Sequence, residues 1–128
     1  MAEVAVTSEG ADHPVDRMLA GGSEWRAAEP GEQTMRLTFD EPRNVSRIFL
    51  RFVEKELERT QEFGIQWSGE DGKSFRHLLR QQWNFSPHGC TEEVEDYHVK
   101  LSAVSAIELT IRPGRPEAVA SLAEFKLA

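Results

Sequence analysis

From Gln33 onward the sequence alternates apolar and polar residues with a period of two, and this alternation decides what the chain can fold into. Met35, Leu37 and Phe39 fall on one side of an extended backbone, with Thr34, Arg36 and Thr38 on the other. The pattern recurs in Ile48, Leu50 and Phe52, in Phe63, Ile65 and Trp67, in Tyr97, Val99 and Leu101, and in Ile107, Leu109 and Ile111. Ala123, Phe125 and Leu127 close the chain in the same way. Successive side chains of a strand point to opposite faces, so each set marks one half-buried strand. A strand with one apolar face must bury it against another layer, which makes a sandwich or barrel the expected architecture.

The remaining segments punctuate this pattern. Glu3 to Ser8 reads as a first strand, with Val4 and Val6 on one side. A short helical turn follows, with Asp12 or His13 as its cap, Pro14 in its first turn, and Val15, Met18 and Leu19 sharing a face. Gly21-Gly22 stops it, because glycine enters the left-handed region without a Cβ clash. Pro42 and Asn44 mark a turn, Glu54 to Arg59 a solvated connection, and Asp71-Gly72 a tight hairpin. The long segment Phe75 to Phe85 changes parity at Leu78-Leu79 and so contains a bulge. Pro87 with Gly89, and the run Arg112 to Pro116, are firm breaks. The expectation is an all-β antiparallel jelly-roll sandwich of about eight strands, with one short helical turn near the amino terminus. Its 128 residues form a single domain over 1–128, without repeats or linkers.

Charge narrows the partners. Fifteen Lys and Arg against twenty-two Asp and Glu leave a net −7, with a pI near 5.1. Nucleic acid is held chiefly by cations that displace counterions, so no nucleic-acid partner is expected. No stretch approaches the roughly twenty apolar residues that cross a bilayer, so no membrane span is expected. Cys90 is the single cysteine, which rules out an internal disulfide. The start Met1-Ala2-Glu3-Val4 lacks the basic-then-apolar pattern of a secretion signal. These features make the cytoplasm the expected compartment.

Three phrases then resemble discoidin, or F5/8 type C, domains of the galactose-binding-like group. His13 to Trp25 is similar to the family's helical loop running into a glycine turn and a tryptophan; Phe63 to Phe75 is similar to its strand, Asp-Gly hairpin and aromatic; Ala120 to Leu127 is similar to its closing strand. The resemblance implies a jelly-roll sandwich with neighbouring termini and ligand loops at one end. It implies binding rather than catalysis: many relatives are carbohydrate-binding modules, others bind lipid headgroups or proteins. Many also hold a structural calcium through an Asp-Gly-Asp type turn and a late glutamate. Here the turn is Ala20-Gly21-Gly22, so two oxygen ligands are missing and only Glu124 remains as a weak calcium candidate. No cofactor is expected.

Candidate binding residues follow from chemistry and from the loop end that the resemblance implies. Sugar rings stack their CH faces on flat side chains, and Trp25 beside Arg26 is the candidate platform, although the family often uses that tryptophan for packing. Trp67 is in phase with core residues, and Trp83 closes a long strand. Arg59, Arg112 and Arg115 could grip a carboxylate or phosphate if they converge. His88 joins them as a loop residue. The series Ser86, His88, Cys90 has no orienting acid or oxyanion donor, so it reads as a polar loop and the chain is not expected to be an enzyme. His13, His77, His88 and His98 lack zinc-type spacing, so no metal is expected. The acidic run Glu92, Glu93, Glu95, Asp96 reads as a solvated approach to a strand. The leading expectation is a noncatalytic module recognising a carbohydrate-like ligand through Trp25, Arg26, Arg59, His88 and Arg115. The alternative is an intracellular protein-interaction adaptor of the same fold, and the sequence leaves the oligomeric state open.

Overall fold

The computed structural model describes residues 2–69 and 73–128; the Asp71-Gly72 hairpin expected from the sequence lies outside them. Eight strands and one helical turn follow in order: β1 (Ala2–Val6), α1 (Val15–Leu19), β2 (Trp25–Pro30), β3 (Gln33–Val53), β4 (Arg59–Ser68), β5 (Phe75–Phe85), β6 (Glu92–Arg112), β7 (Val119–Leu122) and β8 (Glu124–Leu127). All pairings are antiparallel, in a six-stranded sheet ordered β1-β3-β6-β4-β5 with β8 also on β3, and a small β2-β7 pair.

Two layers arise because β3 and β6 are long and bent. The first half of β3 lies between β1 and the second half of β6, which also pairs with β4. The second half of β3 lies between β8 and the first half of β6. The chain therefore makes no turn at Pro42 and Asn44. Instead β3 continues through a run of register shifts between Thr38 and Arg47, and β6 bends opposite it at Ala103, whose φ is +54°. The Asn44 side chain accepts the Ala103 N–H at 3.2 Å and clamps the two bends together. A short polar side chain offers the backbone a local partner in a turn or in a bent strand alike.

The alternating sets meet as expected. Met35, Leu37, Ile48, Leu50, Phe52, Phe63, Ile65, Leu109 and Ile111 are buried in one cluster, and Phe52 meets Phe63 across the layers with ring centroids 5.3 Å apart. The bulge of β5 falls at Leu78, since Leu79 pairs with Ile65 and His77 with Gln66. The helical turn ends before Gly21, at φ +85°, as the glycines predict. Its start differs from expectation: neither Asp12 nor His13 caps it, and Glu9 takes the Val15 N–H at 3.1 Å. The β2-β7 pair closes one side, with Trp25 opposite Leu122.

The turn after β6 presses on the start of β4. Gly114 has φ +91°, and a Cβ there would lie 1.9 Å from the Thr60 carbonyl oxygen. Gly114→Ala is expected to lower unfolding free energy by about 2 to 4 kcal/mol, from left-handed strain plus overpacking, read by urea denaturation.

Candidate functional site

At the end of the sandwich away from the chain termini, the space between the layers is polar. β6 carries Leu101, Val99, Tyr97, Glu95 and Glu93 on its inward face, and β4 carries Phe63, Gln61 and Arg59 on the facing layer. Trp83 of β5 pairs in register with Gln61, and Gln81 pairs with Phe63. β5 pairs only with β4, and the first half of β6 only with β3, so both strands present free edges flanking this seam. Glu93 and Gln61 are 0% exposed and form its floor; Glu95, Tyr97 and Trp83 are half-buried, and Gln81 is exposed at the rim.

Arg59 holds the seam in place. Its guanidinium is 1% exposed, donates to Glu54 at 2.8 Å, to Gln61 Oε1 at 2.9 Å and to the Pro113 carbonyl at 3.0 Å, and stacks over Phe85 at 5.1 Å. A buried charge is tolerable only with such partners. Burial raises the Glu54 carboxyl, and Arg59 with two backbone N–H donors outweighs it, leaving a lowered pKa.

The rest of the seam is not satisfied. Among the described residues, four of the five buried side-chain polar atoms without a hydrogen bond are here: Gln61 Nε2, Trp83 Nε1 and both Glu93 oxygens. Each such group costs about 1 to 3 kcal/mol, and their concentration in one place makes the seam the candidate site. Burial, then the neighbouring Glu95, push the Glu93 carboxyl up to about 8, with Gln61 and Arg59 opposing. Glu95 accepts the Tyr97 hydroxyl, and burial with that contact raises the phenol above its ordinary value. The seam thus offers amide and indole donors, carboxyl acceptors and two aromatic rings.

The expected binding residues fare unequally. Trp25 is 0% exposed, with its indole N–H on the Ser8 carbonyl at 3.1 Å, so it offers no stacking face. Arg59 is likewise buried and structural. Arg26, paired with Glu24 at 3.3 Å, lines a pocket of about 420 Å³ with Ser23, Lys55 and Glu56. His88 is exposed in the turn after β5, and Arg115, paired with Glu117 at 3.3 Å, in the turn after β6. Among the described residues no hydrogen bond or ion pair links Arg26, His88 and Arg115. Cys90 is exposed. The acidic run is not a solvated approach: Glu92 and Asp96 pair outward with Arg51 and Arg47, while Glu93 and Glu95 turn inward. Their parity continues that of Tyr97, Val99 and Leu101, and that phase was the signal that could have found them.

The calcium that the resemblance implies does not suit these residues. Glu124 gives Oε1 to Arg51 at 2.8 Å and Oε2 to Lys126 at 3.3 Å, which lower its pKa. Among the described residues no three His, Cys, Asp or Glu side chains cluster as metal ligands. Arg51, also 3.2 Å from Glu92, supplies the positive charge between β3, β6 and β8. Adding millimolar calcium is expected to leave the melting temperature unchanged, because a bound ion would have to displace that guanidinium.

No family model and no curated protein sequence matches the chain. Solved structures do. A pectin-binding carbohydrate-binding module aligns with TM-score 0.70 and 20% identity over 98% of this chain and 88% of its own. The family 32 module of NanJ from Clostridium perfringens, solved with galactose, gives 0.72 and 16% over 98% and 92%. The family 32 module of AlyQ, solved with 4,5-unsaturated mannuronic acid, gives 0.72 and 16% over 98% and 93%. The chain therefore has the jelly-roll β-sandwich fold that these modules share.

The seam yields a pH prediction. Glu93 holds its proton in the folded state to about pH 8 but loses it near 4.5 when unfolded. The folded state then binds more protons between those values, so stability is highest below about pH 4.5 from this group and falls as pH rises to 8. Glu93→Gln is expected to flatten this slope and to be more stable at pH 8 by on the order of 3 kcal/mol, with little difference at pH 5. Urea titrations of both proteins from pH 5 to 8 measure it.

Proposed function

We propose that the chain is a noncatalytic carbohydrate-binding module whose recognition centre is the seam between β5 and β6. The observation that carries this reading is the clustering of unpaired donors and acceptors beside Trp83 and Tyr97. A sugar offers the matching chemistry: hydroxyls that donate to a carboxyl and accept from an amide, and CH faces that lie on aromatic rings. Supporting it, the fold is shared over 98% of the chain with modules that bind pectin, galactose and a mannuronic acid derivative. Arg26, exposed on β2, and His88 and Arg115, exposed in turns, serve as outer contacts for a longer glycan.

The adaptor reading draws on a different surface. Val94 is 49% exposed, the single large hydrophobic so exposed among the described residues, and lies on the free edge of β6. It requires a stoichiometric partner from native extract whose binding is lost in Val94→Asp.

Calorimetric titration with galactose and short oligosaccharides tests the carbohydrate reading. Millimolar or tighter binding is expected for the native chain, and Trp83→Ala is expected to weaken it tenfold or more while Trp25→Phe leaves it unchanged. Absence of heat with every glycan at millimolar concentration would remove the proposal.

A further inference from the structure

A cavity lies on the outward face of the large sheet, opposite the seam. It encloses about 280 Å³ over a row that runs Thr34, Thr110, Gly64, Arg80 across β3, β6, β4 and β5. Its floor exists because residue 64 has no side chain. Nothing in the backbone demands glycine there: φ is not left-handed, and an added Cβ would meet only the Leu79 carbonyl oxygen at 3.6 Å, an ordinary contact. Glycine weakens a strand interior and marks either a bulge, such as the one in β5 opposite Ile65 and Gln66, or close approach by another group, and the open floor at Gly64 leaves room for the second.

The walls are rich in donors. Arg80 faces Glu62 through Nε at 3.2 Å, and among the described residues its terminal nitrogens make no hydrogen bond. Arg112 spends Nε on Glu32 and Nη1 on Glu62, both at 2.9 Å, and keeps Nη2. The Thr34 and Thr110 hydroxyls stand 3.4 Å apart. Gln66 donates its amide to Glu108 at 3.0 Å and keeps its oxygen free to accept. Glu62 is shared by both arginines, so it fixes the guanidinium groups in place while its own acceptor capacity is used.

We propose that this shelf is a second binding site, for one uronic-acid residue of an acidic glycan. Its carboxylate sits on the free nitrogens of Arg80 and Arg112, where charge-assisted bonds are strongest, and its hydroxyls on Thr34, Thr110 and Gln66. The volume lies just below the range of drug-sized ligand sites, about 300 to 1,000 Å³, which suits one sugar ring rather than a long chain. The glycan class rests on the carbohydrate reading above; the location does not.

The test is amide chemical-shift mapping of the whole chain with trigalacturonic acid, galactose and acetate as separate probes. Trigalacturonic acid is expected to move Thr34, Gly64, Arg80 and Thr110. Gly64→Val is expected to keep or raise the melting temperature and weaken that binding tenfold or more. Arg80→Gln should weaken it similarly, and Trp83→Ala should not. Unchanged affinity in Gly64→Val, or shifts confined to residues around Trp83 and Tyr97, overturns the second site. Acetate reproducing the full response overturns the sugar assignment. Galactose binding the seam while trigalacturonic acid moves nothing on the shelf removes this proposal and leaves the carbohydrate reading standing; silence from both sugars removes both.

Discussion

The buried guanidinium of Arg59 is the constraint on which the end of the sandwich depends. It draws the 54–58 connection inward through Glu54, fixes the turn after β6 through the Pro113 carbonyl, and orients Gln61 by taking its amide oxygen. That last bond has a consequence for chemistry. With Oε1 committed to Arg59, the Gln61 amide nitrogen must face the opposite layer, where Glu93 lies. Arg59, already held by Glu54, only partly opposes the burial and the Glu95 charge that raise the Glu93 carboxyl, so Glu93 keeps its proton.

The greasy interior of Ile48, Leu50, Phe52, Phe63, Ile65 and Leu109 adjoins the seam, with Ile48, Leu50 and Phe52 paired to Tyr97, Glu95 and Glu93 and with Tyr97 and Trp83 packed against it. A strained or under-bonded group persists where the surrounding structure over-determines it, and such groups collect at functional sites. The surface is governed by a different economy of charge. Arg36, Arg47, Arg51 and Arg112 each pair with acids across neighbouring strands, so these cations serve as cross-strand bridges. Arg51, bridged to Glu92 and Glu124, is a fixed cation that joins the closing strand to its neighbours.

The layers and most strand phases were legible in the sequence because period two is a direct consequence of backbone geometry. Met35 to Phe39, Phe63 to Trp67 and Ile107 to Ile111 face inward as their spacing requires. What misled was local chemistry read without its tertiary partner. Pro42 and Asn44 have the composition of a turn, yet β3 runs on, because Asn44 can satisfy the bent backbone of β6. Trp25 looked like a platform because it follows a glycine turn beside Arg26, and it is buried because β2 pairs with β7 and seals it. Arg59 and Glu93 were hidden by a sound expectation, that charges stay in water; only the cross-layer pairing that neutralises one and protonates the other shows why they do not.

Strand β4 joins the two faces of this argument. Its odd residues, Arg59, Gln61 and Phe63, enter the interlayer space, and its even residues, Glu62, Gly64 and Gln66, face outward. A single strand thus builds the seam on one side and the shelf on the other, with a few residues of offset along its length. Because the parity of a strand cannot slip without moving the whole apolar set, the two sites are locked in relative position by the core itself. Substitution at 64 changes only the outward face, and substitution at 61 only the inward one. Two sites on a rigid frame can therefore differ in ligand charge, a neutral polyhydroxyl group on one side and a carboxylate on the other, without either arrangement disturbing the other.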